Sequence, residues 1–147
     1  MAVKESREVV IEASPQEILG VVADVEAMPE WSSIHQSAEV LERDAEGRPR
    51  RAKMKVKTSG VTEEVVLAYT WRDDGVTWTQ ESGKASRNQE GGYTLTPQGD
   101  KTNAKFDLAL DPLVPLPGFV MKRAIKGIME LNTDGLRKRV LQVKKGK

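Results

Sequence analysis

Few side chains in this sequence have the chemistry of a catalyst, and the composition narrows them further. The chain of 147 residues has no cysteine and one histidine, His35. This excludes thiol catalysis, disulfides, cysteine-bound zinc and histidine-rich metal clusters. Catalysis would have to use carboxylates, hydroxyls, amines or His35, whose ordinary pKa of about 6.5 suits general acid–base work. We therefore expect no metal site and no cofactor.

The carboxylates that could assist His35 fall in predicted strands, at Glu63, Glu64 and Glu90. Adjacent strand residues point to opposite faces, so one of Glu63 and Glu64 could point inward. A buried carboxyl group would have a raised pKa and could act as a general acid. The alternatives are that His35 is a surface or packing residue and that these carboxylates lie at exposed strand ends. His35 and Glu64 are therefore the catalytic candidates, and no nucleophile elbow, phosphate-binding loop, dinucleotide fingerprint or metalloprotease motif supplies another.

The charge balance gives no sign of a nucleic-acid-binding protein. Lys and Arg number 23 against 22 Asp and Glu, a net charge of +1, so we expect no binding to DNA. Positive charge does concentrate near the end of the chain, at Arg137, Lys138, Arg139, Lys144, Lys145 and Lys147. These cations would offset the negative end of a helix dipole, or they would contact anionic lipid headgroups or RNA. The sequence leaves the oligomeric state open.

The first fifth of the chain predicts one strand followed by two short helices. Residues 7–12 are short and β-branched, which suits a strand. Ser14-Pro15-Gln16-Glu17 then provides an N-cap, a proline at the first helical position and a glutamate that can close a capping box. Asp24 can cap a second helical turn over residues 25–28, which Pro29 should end.

From Gln36 to Leu110 the hydrophobic period changes to two. Ala52, Met54, Val56 and Thr58 alternate with basic residues, and Val65, Leu67, Tyr69 and Trp71 alternate in the next run. Turn signals separate such runs at residues 44–47, 59–60, 73–75, 82–83 and 97–100. The pattern predicts an antiparallel meander of about six strands after the first strand.

The type of turn at Asp73-Asp74-Gly75 determines whether the indoles of Trp71 and Trp78 lie on the same face of the sheet. A two-residue loop at Asp74-Gly75 would place Trp71 directly opposite Trp78, with both rings on one face. A three-residue loop with a bulge would send Trp78 to the other face. We favour the first arrangement, because two large rings are better placed in one apolar interior.

The last third of the chain predicts a proline-stiffened connection and one long amphipathic helix. Three prolines lie between Asp111 and Gly118. From about Phe119 to Val143 the apolar residues recur at helical spacing along one stripe. Such a helix, roughly 37 Å long at 1.5 Å per residue, could cross a whole sheet. The longest apolar stretch, residues 113–121, is far short of the ~20 residues of a membrane span, and the charged start has no signal-peptide pattern, so we expect a cytoplasmic protein.

The order of elements resembles the helix-grip fold, an α+β architecture in which a curved antiparallel sheet of about seven strands wraps around a long C-terminal helix, with two short helices after the first strand. The stretch Asp24-Val25-Glu26-Ala27-Met28-Pro29-Glu30-Trp31, with Gly92-Tyr93-Thr94-Leu95-Thr96-Pro97 and the proline-rich connection, resembles the polyketide cyclase/dehydrase branch of the START-like (SRPBCC) superfamily. The resemblance covers residues 1–147 as a single domain. It implies an apolar cavity between the sheet and the last helix.

A cavity is also expected because few large side chains are available to fill the interior. The chain has seven aromatic residues, and the inward positions include small residues at Ala52, Thr58, Ala104 and Ala109. The alternative is that Met121 and Ile125 of the last helix plug the space. The residues predicted to line the cavity are Trp31, Met54, Tyr69, Trp71, Trp78, Tyr93, Phe106, Met121 and Ile125.

Three functions fit this interpretation. The first is binding or transport of a hydrophobic small molecule, such as a lipid, a quinone or a polyketide-like compound, without catalysis. The second is an aromatase/cyclase-like reaction on a polyketide, assisted by His35 or an inward carboxylate. The third is a partner-binding module that resembles the ribosome-association toxins and uses the basic helix.

Overall fold

A computed structural model describes residues 3–58, 60–82, 86–112 and 117–146. Seven strands form one antiparallel sheet: β1 (Val3–Ile11), β2 (His35–Arg43), β3 (Pro49–Thr58), β4 (Val61–Arg72), β5 (Gly75–Ser82), β6 (Ser86–Gln98) and β7 (Lys101–Pro112). The strand order is β1-β7-β6-β5-β4-β3-β2, so β2 to β7 form a meander and β1 pairs with its last strand. This confirms the predicted helix-grip architecture. The turn signals at residues 59 and 83 lie outside the described residues.

Two short helices connect β1 to β2, as predicted, although the Asp24 side chain makes no capping hydrogen bond to the second helix. Helix α1 (Pro15–Ala23) begins with a complete capping box. The Ser14 hydroxyl accepts a hydrogen bond from the Glu17 amide at 3.1 Å, and the Glu17 carboxylate accepts one from the Ser14 amide at 3.0 Å. A 3₁₀ helix follows over Val25–Glu30, with Pro29 inside it rather than after it. A 3₁₀ turn tolerates Pro29 because few of its amides have partners within so short a helix.

The long C-terminal helix is continuous but changes its winding in the middle. Helix α2 (Gly118–Glu130) leads into one π-helical turn (Leu131–Gly135) and then into α3 (Leu136–Lys145). The Thr133 hydroxyl donates to the carbonyl oxygen of Met129 at 2.7 Å and accepts from Arg7 Nε at 2.9 Å. The wider turn therefore ties the helix to β1. The sequence predicts one uniform helix here, because a hydrophobic stripe does not reveal a single inserted residue.

The β4–β5 hairpin differs from both predicted loops. Arg72 pairs with Gly75, so the two-residue loop is Asp73-Asp74. Trp71 consequently pairs with Val76 and Trp78 pairs with Tyr69, and the prediction that the two indoles lie directly opposite is wrong. The two rings do share one face. Tyr69 pairs with Trp78, and Trp71 is two residues from Tyr69 on the same strand, so all three side chains point to the same side of the sheet.

Candidate functional site

The inner face of the sheet, which faces the helices, holds most of the predicted lining residues. Alternate residues of each strand point inward, as their burial shows. The inward set includes Ile11, Ala52, Met54, Val65, Leu67, Tyr69, Trp71, Val76, Trp78, Tyr93, Leu95, Ala104, Phe106 and Leu108. Ala109 pairs with Lys4 and Glu90 on the outer face, so its predicted inward position is wrong. The Thr58 side chain lies outside the described part of the chain.

Five aromatic rings form a continuous series across four strands of this face. Trp71 to Tyr69, Tyr69 to Trp78 and Trp78 to Tyr93 each have ring centroids 5.8 Å apart, and Tyr93 and Phe106 lie at 5.1 Å. The Tyr69 and Trp78 rings meet edge to face, at 88°. These are favourable aromatic geometries. The series therefore gives the interior a rigid wall of ring surface.

The two ends of this ring series differ in burial. Phe106 and Tyr93 are almost fully buried, at 1% and 3% exposure, whereas Tyr69, Trp71 and Trp78 remain partly accessible although they face inward. We call the inner face at Ile11, Val76, Leu95, Ala104 and Phe106, with Leu136 and Val140 of α3, the filled region. We call the inner face at His35, Val56, Tyr69, Trp71 and Trp78 the open region.

A glycine makes room for the central indole. Gly91 pairs with Trp78, and a Cβ atom at Gly91 would lie 2.6 Å from the indole Nε1. No side chain larger than a hydrogen atom fits there unless the indole moves. The Gly91-Gly92 pair is visible in the sequence, but the residue that lies against Gly91 depends on strand register, so sequence reasoning missed this role.

The two tyrosines of the ring series have different hydroxyl environments. The Tyr93 hydroxyl donates to the backbone oxygen of Asn132 in the π-helical turn at 2.8 Å. The Tyr69 hydroxyl has no hydrogen-bond partner among the described residues, and it is not among their fully enclosed polar atoms. Burial raises the pKa of both phenols well above their usual range. Tyr69 is thus deeply placed, and its hydroxyl still adjoins open space.

A β-bulge brings the single histidine to the inner face. His35 pairs with Val56 and Ser37 pairs with Lys55, so Gln36 is the extra residue of the bulge. Because paired residues share a face, His35 points inward with Val56. In a regular register Gln36 would occupy that position, so the sequence alone does not place His35 on the inner face.

Ser32 fixes the protonation of the imidazole. Its hydroxyl oxygen lies 2.5 Å from His35 Nδ1, and Ser32 is 3% exposed. No other described group accepts the Ser32 proton, and a buried hydroxyl without an acceptor is costly. Ser32 therefore donates to Nδ1, and the neutral imidazole carries its proton on Nε2. Burial lowers the pKa of His35 to about 4, so the ring is neutral at pH 7.

The two adjacent glutamates of β4 point in opposite directions, as expected. Glu63 pairs with Val56 and so lies in the same inner-face row as His35. Glu64 pairs with Lys55 and is exposed on the outer face. The catalytic candidate Glu64 therefore does not reach the interior, and Glu63 is the inward carboxylate. Glu90 is also exposed, on the outer face opposite Thr79.

The remaining lining candidates come from the helices and from β3. Met121 and Ile125 of α2 pack against the main apolar cluster, Met121 partly accessible and Ile125 buried. Met54 is buried in a second cluster under the 3₁₀ helix, which meets the first at Tyr69 and Trp78. Trp31 packs against the main cluster, and its Nε1 is enclosed without an acceptor.

A separate depression of about 640 Å³ lies against the strands around Gly92. Its lining includes a row of outer-face residues that crosses four strands, Ser6, Asp107, Gly92 and Thr77. Gly92 has no side chain to fill the row, and the other three residues of the row are polar. This depression is distinct from the predicted apolar cavity on the inner face.

Three cations of the basic C-terminal segment form ion pairs within the protein. Arg137 forms a two-pronged contact with Glu12, with both N–O distances 2.9 Å. Arg139 contacts Glu30 at 3.4 Å, and Lys144 contacts Glu17 at 3.4 Å. These pairs connect α3 to α1, to the 3₁₀ helix and to the end of β1. Within the described residues, no helix has the length and apolarity needed to cross a membrane.

A curved antiparallel sheet around one long C-terminal helix, with two short helices between β1 and β2 and a ring-lined inner face, defines a START-like protein of the helix-grip class. The model of the family described as polyketide cyclase/dehydrase and lipid transport matches residues 2–141. The chain belongs to this family.

Solved structures agree with this assignment. A START superfamily protein from Mycobacterium smegmatis superposes with a TM-score of 0.84 at 26% identity, over 95% of this chain and 98% of that one. A protein from Thermus thermophilus gives 0.79 at 21% identity, over 96% and 99%. The Zhui aromatase/cyclase from Streptomyces sp. R1128 gives 0.76 at 10% identity, over 97% and 95%, a likeness of fold alone. No functionally curated protein matches the chain.

Proposed function

We propose that the protein binds a hydrophobic small molecule between the inner face of the sheet and the C-terminal helix, as a carrier or sensor and not as a catalyst. The observation that supports this most directly is the partial accessibility of Tyr69 and Trp78, which lie in the middle of strands and face inward. Interiors normally pack without such gaps. Apolar surface that stays accessible on the inward side is available to a guest, at about 25 cal/mol for each Å² that the guest buries.

The family supports the same function. Its description includes lipid transport, and a lipid, a quinone or a polyketide-like molecule would each find ring and methionine surface here. Trp31, Met54, Tyr69, Trp71, Trp78, Tyr93, Phe106, Met121 and Ile125 remain the proposed wall. The partly accessible members, Trp31, Tyr69, Trp71, Trp78 and Met121, should contact the guest, and the buried members should support them.

Native mass spectrometry of the protein purified from its own host tests the proposal. We expect a bound hydrophobic compound that is lost on denaturation. A matched pair of variants then locates it: Val56→Phe adds a ring on the inner face, and Lys55→Phe adds the same ring on the outer face one residue away. Uptake of a hydrophobic fluorescent dye should fall in Val56→Phe and persist in Lys55→Phe. Recovery of an empty protein, with equal uptake by both variants, would contradict the proposal.

A second candidate function, an aromatase/cyclase-like reaction, is favoured by one specific observation. His35 and Glu63 lie in one inner-face row, on either side of Val56. A neutral imidazole and a carboxylate can move protons during ring closure of a polyketone chain. Incubation with a poly-β-ketone thioester should then give a cyclised, dehydrated product that His35→Phe does not form. Unchanged thioester with the wild-type protein would exclude this candidate.

A further inference from the structure

The Tyr69 hydroxyl is a polar group without a hydrogen-bond partner in the described part of the chain. Buried phenols normally find a hydrogen-bond partner, as Tyr93 does with Asn132. Tyr69 stands in the same ring series, with an indole on each side at 5.8 Å. None of the described residues accepts its proton. The hydroxyl is therefore available to a bound molecule.

The surroundings of Tyr69 indicate what kind of atom would satisfy it. Burial alone accounts for the raised pKa of Tyr69, without a contribution from any charged side chain. Arg48 lies over the Trp71 ring, 5.8 Å from its centroid, but no described cation forms a hydrogen bond with the Tyr69 hydroxyl, so an ionised carboxylate or phosphate on the guest would be costly at this position. A neutral acceptor oxygen carries no such cost.

A second donor faces the same interior. Ser32 holds the proton of His35 on Nε2, and Nε2 has no partner among the described residues and is not fully enclosed. His35 and Tyr69 thus both offer hydrogen, whereas the inward carboxylate Glu63 already has an interaction within the protein. A guest that contacts these two donors is best matched by acceptor atoms. An alcohol would add a further donor, whereas a carbonyl group only accepts.

From this geometry we infer that the guest carries a neutral carbonyl oxygen, as in a ketone or quinone, and that the Tyr69 hydroxyl is the donor that recognises it. This inference rests on the proposed function, because it names the chemistry of the molecule bound at that site. It also separates the two tyrosines by role: Tyr69 selects the guest, and Tyr93 holds the helix.

Two aromatic probes of one shape test the inference. Fluorene and 9-fluorenone share a three-ring skeleton and differ by one carbonyl group. Their dissociation constants can be measured by equilibrium dialysis for the wild-type protein, Tyr69→Phe, Tyr93→Phe and the control Thr70→Val, which removes a hydroxyl from the exposed outer face one residue from Tyr69. Comparing the ratio of the two constants among the four proteins cancels the difference in probe solubility. One lost hydrogen bond should lower the preference for fluorenone about three- to tenfold in Tyr69→Phe, should lower it less in Tyr93→Phe, whose hydroxyl is bound to Asn132, and should leave it unchanged in Thr70→Val.

The infrared spectrum of bound fluorenone gives an independent readout. A donated hydrogen bond weakens the carbonyl bond, so the C=O stretch should lie at lower frequency in the wild-type complex than in the Tyr69→Phe complex. A change in packing alone would not produce this shift. The chain contains no cysteine, so quinones can be used as further probes without forming thiol adducts.

The outcomes separate this inference from the proposed function. If the protein binds both probes and Tyr69→Phe changes neither the ratio nor the stretch, the role of Tyr69 is overturned and hydrophobe binding stands. If the protein binds neither probe, hydrophobe binding fails and the carbonyl preference fails with it. If Tyr93→Phe lowers the ratio as much as Tyr69→Phe does, the division between the two tyrosines is wrong.

Discussion

The filled and open regions lie side by side on one sheet, and they use their inward side chains differently. In the filled region Ile11, Val76 and Phe106 are at most 1% exposed, and they pack with Leu136 and Val140 of α3. In the open region Val56, Tyr69 and Trp78 face the same way but stay partly accessible. The helix contacts β1 through α2, the π-helical turn and α3, and it contacts β7 through the π-helical turn. One alternating strand pattern therefore gives a packed core in one region and accessible ring surface in the other.

The position of the C-terminal helix over the sheet determines which inward residues become core. Tyr93 and Tyr69 show this most clearly. The hydroxyl of Tyr93 meets the π-helical turn and is bound at 2.8 Å, while the hydroxyl of Tyr69 lies farther along the ring series and is unbound. The same residue type is thus structural at one site and available for recognition at the other.

The largest expected effect is the loss of a ring from the filled region. Phe106→Ala should reduce the free energy of unfolding by about 3–5 kcal/mol, because it removes a fully buried ring and leaves a cavity. Urea denaturation followed by circular dichroism measures this change. The adjacent outer-face variant Lys105→Ala should change stability by less than about 0.5 kcal/mol. A loss below about 1 kcal/mol for Phe106→Ala would mean that this region is not tightly packed.

Two valines, one on β5 and one on β3, compare the regions directly. Val76→Ala removes two fully buried methyl groups and should cost about 2–3 kcal/mol. Val56→Ala removes two methyl groups that already border accessible space, so it should cost about 1 kcal/mol or less. Both values come from the same denaturation experiment. Equal losses would remove the distinction between a filled and an open region.

The pH dependence of stability tests the burial of His35. Its pKa falls from 6.5 in the unfolded chain to about 4 in the folded protein. As the pH drops below 6.5, the unfolded state binds a proton that the folded state does not, so stability is lost. Between pH 7 and pH 5 this loss should be roughly 2 kcal/mol.

The control for this pH effect is His35→Phe, which cannot take up the proton. Hydrogen bonds also lower the pKa values of Glu12, Glu17 and Asp44. The stability that these carboxylates contribute to the folded protein is lost at more acidic pH, in the wild-type protein and in His35→Phe alike. The difference between the wild-type and His35→Phe curves therefore isolates His35. Parallel curves from pH 7 to pH 5 would show that the imidazole is solvated in the folded state.

The smallest expected effect concerns the two tyrosine hydroxyls in the absence of a guest. Tyr93→Phe breaks the hydrogen bond to Asn132 and should cost about 1 kcal/mol. Tyr69→Phe removes a hydroxyl that has no partner and should change stability by less than about 0.5 kcal/mol. Thermal melts of the ligand-free variants measure both. A larger loss in Tyr69→Phe than in Tyr93→Phe would contradict the assignment of roles.

Much of the architecture could be predicted from local patterns. The capping box at Ser14, the period-two runs from residue 36 onward and the apolar stripe of the last helix each depend on residues a few positions apart. The inward faces of Tyr69, Trp71 and Trp78 follow from the same alternation. The single-residue irregularities could not be predicted: the bulge at Gln36, the π-helical turn at residues 131–135 and the Asp73-Asp74 loop.

The candidate site was predicted less completely because it depends on strand register and on which part of the sheet the C-terminal helix covers. Glu63 rather than Glu64 points inward, His35 reaches the interior only through the bulge, and Gly91 matters only because Trp78 lies against it. Each of these facts depends on residues that are distant in the sequence. A shift of one residue in register would reverse every face.

On its own, the order of residues was enough to establish strands, caps and an amphipathic helix, because these arise from short-range sterics and periodic burial. Which inward rings became core, and whether the Tyr69 hydroxyl and the Nε2 atom of His35 found partners among the described residues, depends on the position of the helix over the curved sheet. The helix can cover only part of the inner face, so which side chains are buried depends on how all the elements of the fold pack together.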